Sequence, residues 1–307
     1  MDINRRKFLY VCGMTAGGLL MPSVARADPL AGSSSSQQKG MLVDLTKCIG
    51  CGWCQQACKE WNHLPANPLD EAGCAQVDDC LSADTWTLPE LQSIEEDGQQ
   101  YQVFVKRQCM HCVNPACVSA CPVGALQKLD SGAVVYDCTR CIGCRYCMVA
   151  CPFGIPKFEW AEPLPRIQKC TFCADRQADG LEPACAAACP TGALTFGDRG
   201  TLIAQAEARI QADPDRYFHH LYGEEELGGT SWMYLSPVAF ETLGFPLLGT
   251  EPVTSLSEAV ATYGTVGVAA SVTLLLGGLY YWFNGRQPKL QVREIPIKES
   301  ERESWPS

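Results

Sequence analysis

The sequence predicts an α+β fold made of two pseudo-symmetric small modules with loop insertions, followed by one C-terminal transmembrane helix. Three observations predict it. Four runs of four cysteines lie between Cys48 and Cys189. Short β-prone segments and turn residues flank those runs. Near the C-terminus, Thr262 to Phe283 carries no charged side chain over 22 residues.

The chain has 307 residues, 20 cysteines and a formal net charge of -10. That length suits one or two domains. The acidic balance excludes a nucleic-acid partner, which would need a basic face. No nucleophile constellation and no glycine-rich phosphate loop is legible.

Taken in chain order, residues 1–27 have the layout of a twin-arginine signal peptide. Arg5 and Arg6 precede an apolar stretch to Met21, and Ala25-Arg26-Ala27 is a small-x-small cleavage site. Cys12 falls in the removed part. The twin-arginine route carries folded protein, which suits a cofactor inserted before export. Residues 28–40, with the run "AGSSSSQQKG", read as a flexible leader.

Residues 41–200 hold the cysteine runs. The first is Cys48-x2-Cys51-x2-Cys54-x3-Cys58, and the second is Cys109-x2-Cys112-x4-Cys117-x3-Cys121. The third is Cys141-x2-Cys144-x2-Cys147-x3-Cys151, and the fourth is Cys170-x2-Cys173-x11-Cys185-x3-Cys189. Runs one and three have the spacing of bacterial ferredoxins, and the other two have a longer middle loop. Two residues between thiolates let a tight loop wrap three corners of a [4Fe-4S] cubane. The fourth cysteine, three residues on, serves the neighbouring cluster of a pair. Proline follows it in three runs (Pro122, Pro152, Pro190), while run one has Lys59 there. Zinc would ask for two separated pairs rather than a third cysteine two residues on. Disulfides at this density would be strained. The modules are therefore double-cluster and ferredoxin-like. "MLVD", "VFVKR", the strand–turn–strand "ALQKLDSGAVVYD" and "ALTFGD" are the expected strands around them.

At these residues the chain resembles the four-cluster iron-sulfur subunits of membrane-bound respiratory oxidoreductases. That family includes the beta subunits of formate dehydrogenase, the electron-transfer subunit of DMSO reductase and HybA-like subunits of periplasmic [NiFe] hydrogenase. The resemblance covers about Gly40 to Pro246. It rests on "RQCMHCVNPACVSACPVGAL", "GCRYCMVACPFGIPKF" and "HHLYGEEELGGT". A twin-arginine signal with one C-terminal span is the HybA-like arrangement, whereas "CKEWN" is nearer formate dehydrogenase.

The resemblance implies four cross-paired [4Fe-4S] clusters. Cys48, Cys51, Cys54 and Cys189 would bind the first. Cys170, Cys173, Cys185 and Cys58 would bind the second. Cys109, Cys112, Cys117 and Cys151 would bind the third, and Cys141, Cys144, Cys147 and Cys121 the fourth. It further implies an electron-transfer subunit that is not catalytic alone and that works between two partners. One is a catalytic subunit: a hydrogenase, or alternatively a molybdopterin enzyme such as formate dehydrogenase. The other is an integral-membrane, quinone-reactive or cytochrome subunit. A structural zinc protein and a substrate-binding cluster enzyme are the competing classes.

Three cysteines remain. Cys74 and Cys80 lie in a long insertion and could form a disulfide outside the cytoplasm. Cys138 ends the strand leading into run three. His111 lies inside run two but adds to a complete cysteine set, so it reads as a hydrogen-bond donor or a loop residue rather than a ligand. His219 and His220 read as packing, or as a contact with a haem or quinone subunit.

Residues 201–261 are expected to be an extension packed on the cluster domain and its partners. Residues 262–283 are long enough to span a hydrocarbon core, with Tyr280, Tyr281 and Trp282 as an interfacial belt. Arg286, Lys289 and Arg293 in residues 284–307 should hold that tail in the cytoplasm and leave the body on the periplasmic side of the inner membrane.

Overall fold

The computed structural model describes residues 38–66, 80–96, 99–254 and 263–286. The expected signal peptide with Arg5 and Arg6, most of the leader, Cys74 and most of the tail lie outside these residues. So does the Cys74–Cys80 pairing, of which only Cys80 is described; it is exposed. The chain divides into two units, at residue 255.

In the first unit a three-stranded sheet runs β8–β1–β9. Strand β1 (Lys39–Asp44) pairs antiparallel with β8 (Leu194–Asp198) and parallel with β9 (Trp232–Leu235). The strand therefore begins two residues inside the stretch expected to be leader. Its apolar residues are buried on both faces. Met41 and Val43 pack with Trp232, Tyr234 and Phe172 on one side, among the cysteine loops. On the other side Leu42 packs with Leu202 and Ala206 of the helix Arg199–Ala212, and with Tyr217 and Met233. Alternating side-chain direction along the strand produces this division. One sheet face carries a helix, and the other carries the cysteine runs.

Residues 201–254 do more than pack on the cluster domain. Strand β9 completes the sheet, and the helix beginning at Arg199 crosses the expected boundary at residue 200. Three antiparallel hairpins surround the runs. β2 (Leu88–Glu96) pairs with β3 (Gln99–Arg107), β4 (Leu126–Lys128) with β5 (Val134–Tyr136), and β6 (Lys157–Phe158) with β7 (Ile167–Gln168). All four strand segments expected from sequence are present. The partner strand β2 was not foreseen, since "LPELQSIEE" has a proline and weak alternation.

At the end of β1, Asp44 is fully buried. Its Oδ2 accepts from the Tyr217 hydroxyl at 3.0 Å and from Arg209 at 3.3 Å, and its Oδ1 accepts from the Thr46 hydroxyl at 2.6 Å. This network ties the extension to the chain entering run one. A buried carboxylate of this kind is retained only with such partners.

The second unit contains the helix Thr265–Arg286. Val266–Gly285 is long and apolar enough to cross a membrane, with mean hydropathy 1.6 and no burial within the protein. The Ser271 and Thr273 hydroxyls donate to the carbonyls of Gly267 and Ala269 four residues back, so the helix satisfies these polar groups itself.

Asp44→Ala strands the Tyr217 hydroxyl and leaves Arg209 short of a partner. It should cost about 2 kcal/mol and lower the thermal midpoint by roughly 5 °C. Differential scanning calorimetry of the purified protein checks this; an unchanged midpoint would mean that the network holds nothing.

Candidate metal centres

Each cysteine run folds as a tight loop followed by a short helix. The helices are Trp53–Trp61, Ala116–Ser119, Tyr146–Ala150 and Ala184–Ala187. In all four runs the residue before the second cysteine is left-handed: Gly50 (φ 68°), His111 (47°), Gly143 (69°) and Phe172 (59°). This geometry turns backbone N–H groups inward. Gly143 donates to Cys141 Sγ and Phe172 to Cys170 Sγ, both at 3.4 Å. A backbone hydrogen bond from Gly50 serves Cys48 likewise. Left-handed backbone at His111 and Phe172 is unfavourable for residues with a Cβ. The two rings are buried and stack on one another with centroids 5.0 Å apart, which holds both loops in place.

After the fourth cysteine of runs two, three and four, Cys-Pro-x-Gly closes a turn. Gly124, Gly154 and Gly192 donate to the carbonyls of Cys121, Cys151 and Cys189 at 3.3, 3.1 and 3.4 Å. Run one, with Lys59 in the proline position, instead continues its helix to Trp61. The Asn62 side chain then returns to the Cys58 carbonyl at 2.8 Å and to its sulfur at 3.5 Å.

The thiols of different runs converge. Cys48, Cys51, Cys54 and Cys189 line one cavity, together with Lys106. Burial pushes Cys54 up to about 12; Lys106 opposes the rise, and Cys185, Cys48 and Cys51 add to it. Burial also raises Cys58, with Cys185, Cys173 and Cys54 as neighbours. Cys170 lies well above the ordinary thiol value through burial and then Cys58, Cys109, Cys173 and Cys185. Cys112 is raised by burial and then by Cys109, Cys151 and Cys117. Cys117 reaches about 12 through burial and Cys109, with Cys151 and Cys147 contributing. Cys147 reaches about 11 through burial, Cys121, Cys141 and Cys144. Thiols that raise one another lie near one another. Each fourth cysteine thus meets thiols of a different run. Burial keeps these groups protonated until a cation displaces the protons, so metal loading releases protons.

The donor set is all sulfur. Among the described residues, no group of three or more His, Cys, Asp or Glu side chains is placed to hold a metal ion.

Cys138 is exposed, with its sulfur 3.6 Å from Arg166. His111 is fully buried. Its Nδ1 accepts from the Val134 N–H at 2.8 Å, which puts the ring proton on Nε2, and Nε2 has no partner among the described residues. Burial, then Lys169 and Lys128, hold its pKa well below the usual value, so it stays neutral. The His220 Nε2 pairs with Glu226 at 2.6 Å, and His219 is exposed beside the Pro214 carbonyl, so both brace the 214–226 turn.

Three lysines beside the clustered thiols were not singled out by the sequence: Lys106 and Lys169 are buried and Lys128 is half-buried. Lys106, Lys128 and Lys169 all lie among the cysteine loops. Lys128 Nζ donates to the carbonyls of His111, Cys112 and Gly132. Lys169 Nζ donates to those of Val134 and Cys170. For Lys106 and Lys169 the available signal was a lysine within three residues of a cysteine at the end of a β-prone segment, as in "VKRQC" and "IQKC"; Lys128 has no such signal.

A mixed α/β domain with sulfur-lined centres of this kind defines an iron-sulfur protein of the ferredoxin type. Residues 100–199 match a family described as a 4Fe-4S dicluster domain. The chain is 38 % identical to the Hydrogenase-2 operon protein HybA of Escherichia coli O157:H7, over 80 % of this chain and 84 % of that protein. It is 41 % identical to the iron-sulfur subunit of the nitrate-inducible formate dehydrogenase of Escherichia coli K12, over 63 % of this chain and 66 % of the relative. A protein of Nitratidesulfovibrio vulgaris is 43 % identical over 91 % of this chain and 76 % of its own length. The chain belongs to the family of HybA-like and formate dehydrogenase beta-type iron-sulfur subunits.

The loops of runs one and three differ in the room around their left-handed glycine. A Cβ at Gly50 would overlap the Phe104 ring, whereas at Gly143 the nearest atom is 3.9 Å away. Gly143→Ala should cost about 1 kcal/mol in backbone strain and keep its iron. Gly50→Ala must also displace Phe104, and should lower the iron bound per chain. Equal iron in the two variants would contradict this.

Proposed function

We propose that the chain relays single electrons through four [4Fe-4S] clusters, between a periplasmic catalytic subunit and a quinone-reactive membrane subunit. The four ligand sets are those implied by the resemblance. Cys48, Cys51, Cys54 and Cys189 hold the first cluster, and Cys58, Cys170, Cys173 and Cys185 the second. Cys109, Cys112, Cys117 and Cys151 hold the third, and Cys121, Cys141, Cys144 and Cys147 the fourth. A bound cluster supplies reversible one-electron chemistry that no side chain here provides.

The observation that supports this reading is that thiols of neighbouring sets lie near enough to raise one another, in series. Cys54 faces Cys185 between the first and second sets. Cys170 faces Cys109 between the second and third, and Cys117 faces Cys147 between the third and fourth. Two buried N–H donors without protein acceptors, His111 Nε2 and Trp232 Nε1, fit a site whose acceptors are cluster sulfurs. The ends of the series are the accessible ones. Ile49 and Trp53 are exposed in run one, and Ile142 and Tyr146 in run three, while Met110, His111 and Phe172 of the inner runs are buried.

Strand registers support two pseudo-symmetric modules. In one, Val43 pairs with Leu194; Cys48 lies five residues beyond Val43, and Cys189 five residues before Leu194. In the other, Tyr136 pairs with Leu126; Cys141 lies five residues beyond Tyr136, and Cys121 five residues before Leu126.

A [NiFe] hydrogenase is the catalytic partner we favour, because the match to HybA extends over more of both chains than the match to the formate dehydrogenase subunit. A formate dehydrogenase is the second reading, supported by the higher identity over the shared core. The Arg5-Arg6 signal, the apolar helix and the basic residues after it support a periplasmic body anchored in the inner membrane with a cytoplasmic tail.

The purified chain should carry about sixteen irons, four in each of four clusters. The complex isolated from membranes should oxidise hydrogen. Zinc in place of iron would end the relay reading, and formate oxidation with no hydrogen oxidation would replace the partner. Cys138→Ala should retain every cluster, while Cys151→Ala should lose or convert one. Electron paramagnetic resonance of the reduced variants distinguishes them, and the reverse pattern would mean that the run-three register is wrong.

A further inference from the structure

Lys106 is a buried cation with no carboxylate partner among the described residues. Three neighbours define its charge state. The Thr87 hydroxyl donates to the Arg107 carbonyl at 3.1 Å, so its oxygen accepts from Lys106 Nζ. The Gln108 amide nitrogen donates to the Tyr234 hydroxyl, so Gln108 Oε1, 3.3 Å from Nζ, is also an acceptor. The Trp232 ring lies under Nζ with its centroid at 5.0 Å. Two acceptors and a π face suit an ammonium, which has three donors and no acceptor.

A buried charge of this kind is costly unless an opposite charge faces it. Among the ionisable groups that act on Lys106, three of four are thiols, the fourth being the Tyr234 hydroxyl. Cys185, Cys54 and Cys170 are among its main electrostatic neighbours. Lys106 acts in turn on Cys48, Cys54, Cys58 and Cys185. Cys48 and Cys54 belong to the first proposed set, and Cys58, Cys170 and Cys185 to the second. Lys106 also lines the cavity of Cys48, Cys51, Cys54 and Cys189.

We propose that Lys106 is the shared counter-charge of the first two cluster sites and sets both of their reduction potentials. The inference rests on the ligand sets of the proposed relay. Each cluster gains negative charge when reduced, and a fixed cation in a low-dielectric interior favours that state. Lys106 therefore holds both potentials above the values that the thiolate cages alone would give. It is a positioning residue for charge, not a ligand, and one side chain couples two neighbouring steps of the relay.

The test is a redox titration of the full chain in its native complex, followed by electron paramagnetic resonance, for wild type, Lys106→Met and Lys106→Arg. With iron content unchanged, Lys106→Met should move two of the four midpoint potentials to more negative values and leave two in place. Lys106→Arg, which keeps the charge, should stay near wild type. If Lys106→Met binds less iron, Lys106→Gln keeps hydrogen-bonding capacity without charge and should show the same pair of shifts. Four unmoved potentials in an iron-replete uncharged variant would overturn the proposal, as would a shift in one cluster alone. A merely structural lysine would leave the potentials of iron-replete variants unchanged. Failure of the underlying relay would show separately, as wild-type protein with fewer than four clusters.

Discussion

The antiparallel pairing of β1 with β8 is the constraint on which the rest of the domain depends. Run one begins just beyond one strand, and run four ends just before the other. Pairing Val43 with Leu194 therefore brings Cys48 and Cys189 to the same end of the sheet, although 141 residues separate them. The burial of Met41, Leu42 and Val43 on both faces fixes that register, because a one-residue slip would exchange the faces and send each side chain into the wrong core. On the other edge of β1, β9 brings Trp232 and Tyr234 against the cysteine loops and closes the site from the side of the extension.

Within that frame, the loops are held by unfavourable local conformations that packing supports. His111 and Phe172 occupy left-handed backbone where runs one and three have glycine. Their mutual stacking, together with the Val134 N–H on the His111 ring, stabilises loops that would relax if isolated. The lysines work in the same interior. Lys128 and Lys169 bind carbonyls of the run-two and run-four loops, and Lys106 stands between two groups of thiols. A chain with net charge -10 thus keeps Lys106 and Lys169 buried, and Lys128 half-buried, among the sulfurs. This distribution is reasonable only where the interior itself carries negative charge.

The exposed apolar side chains follow the same division. Runs two and four bury Met110, His111 and Phe172 around the His111–Phe172 contact, although Leu181 in the long loop of run four is exposed. Runs one and three present Ile49, Trp53, Ile142 and Tyr146 outward, beside their cysteines. The surface is apolar where its cysteines are nearest solvent, and this is the arrangement that a relay docked at both ends would need.

The sequence by itself determined the four cysteine loops, the short helices after them, most flanking strands and the long apolar helix. These are local consequences of spacing, turn chemistry and composition, each decided within about twenty residues. It also singled out Cys138, since counting from Cys141 leaves that thiol outside the run. Only the tertiary structure decided the strand register that brings Cys48 and Cys189 to one end of the sheet, that β9 joins as a parallel neighbour of β1, and that Lys106 and Lys169 are buried and Lys128 half-buried. Parallel pairing of β1 and β9 joins strands nearly two hundred residues apart and has no local turn signal. A lysine in a sequence reads as a surface residue, because burying its charge is costly. Here that cost is offset by carbonyls, an indole face and thiols that come from distant segments, and those partners exist only once the chain has folded.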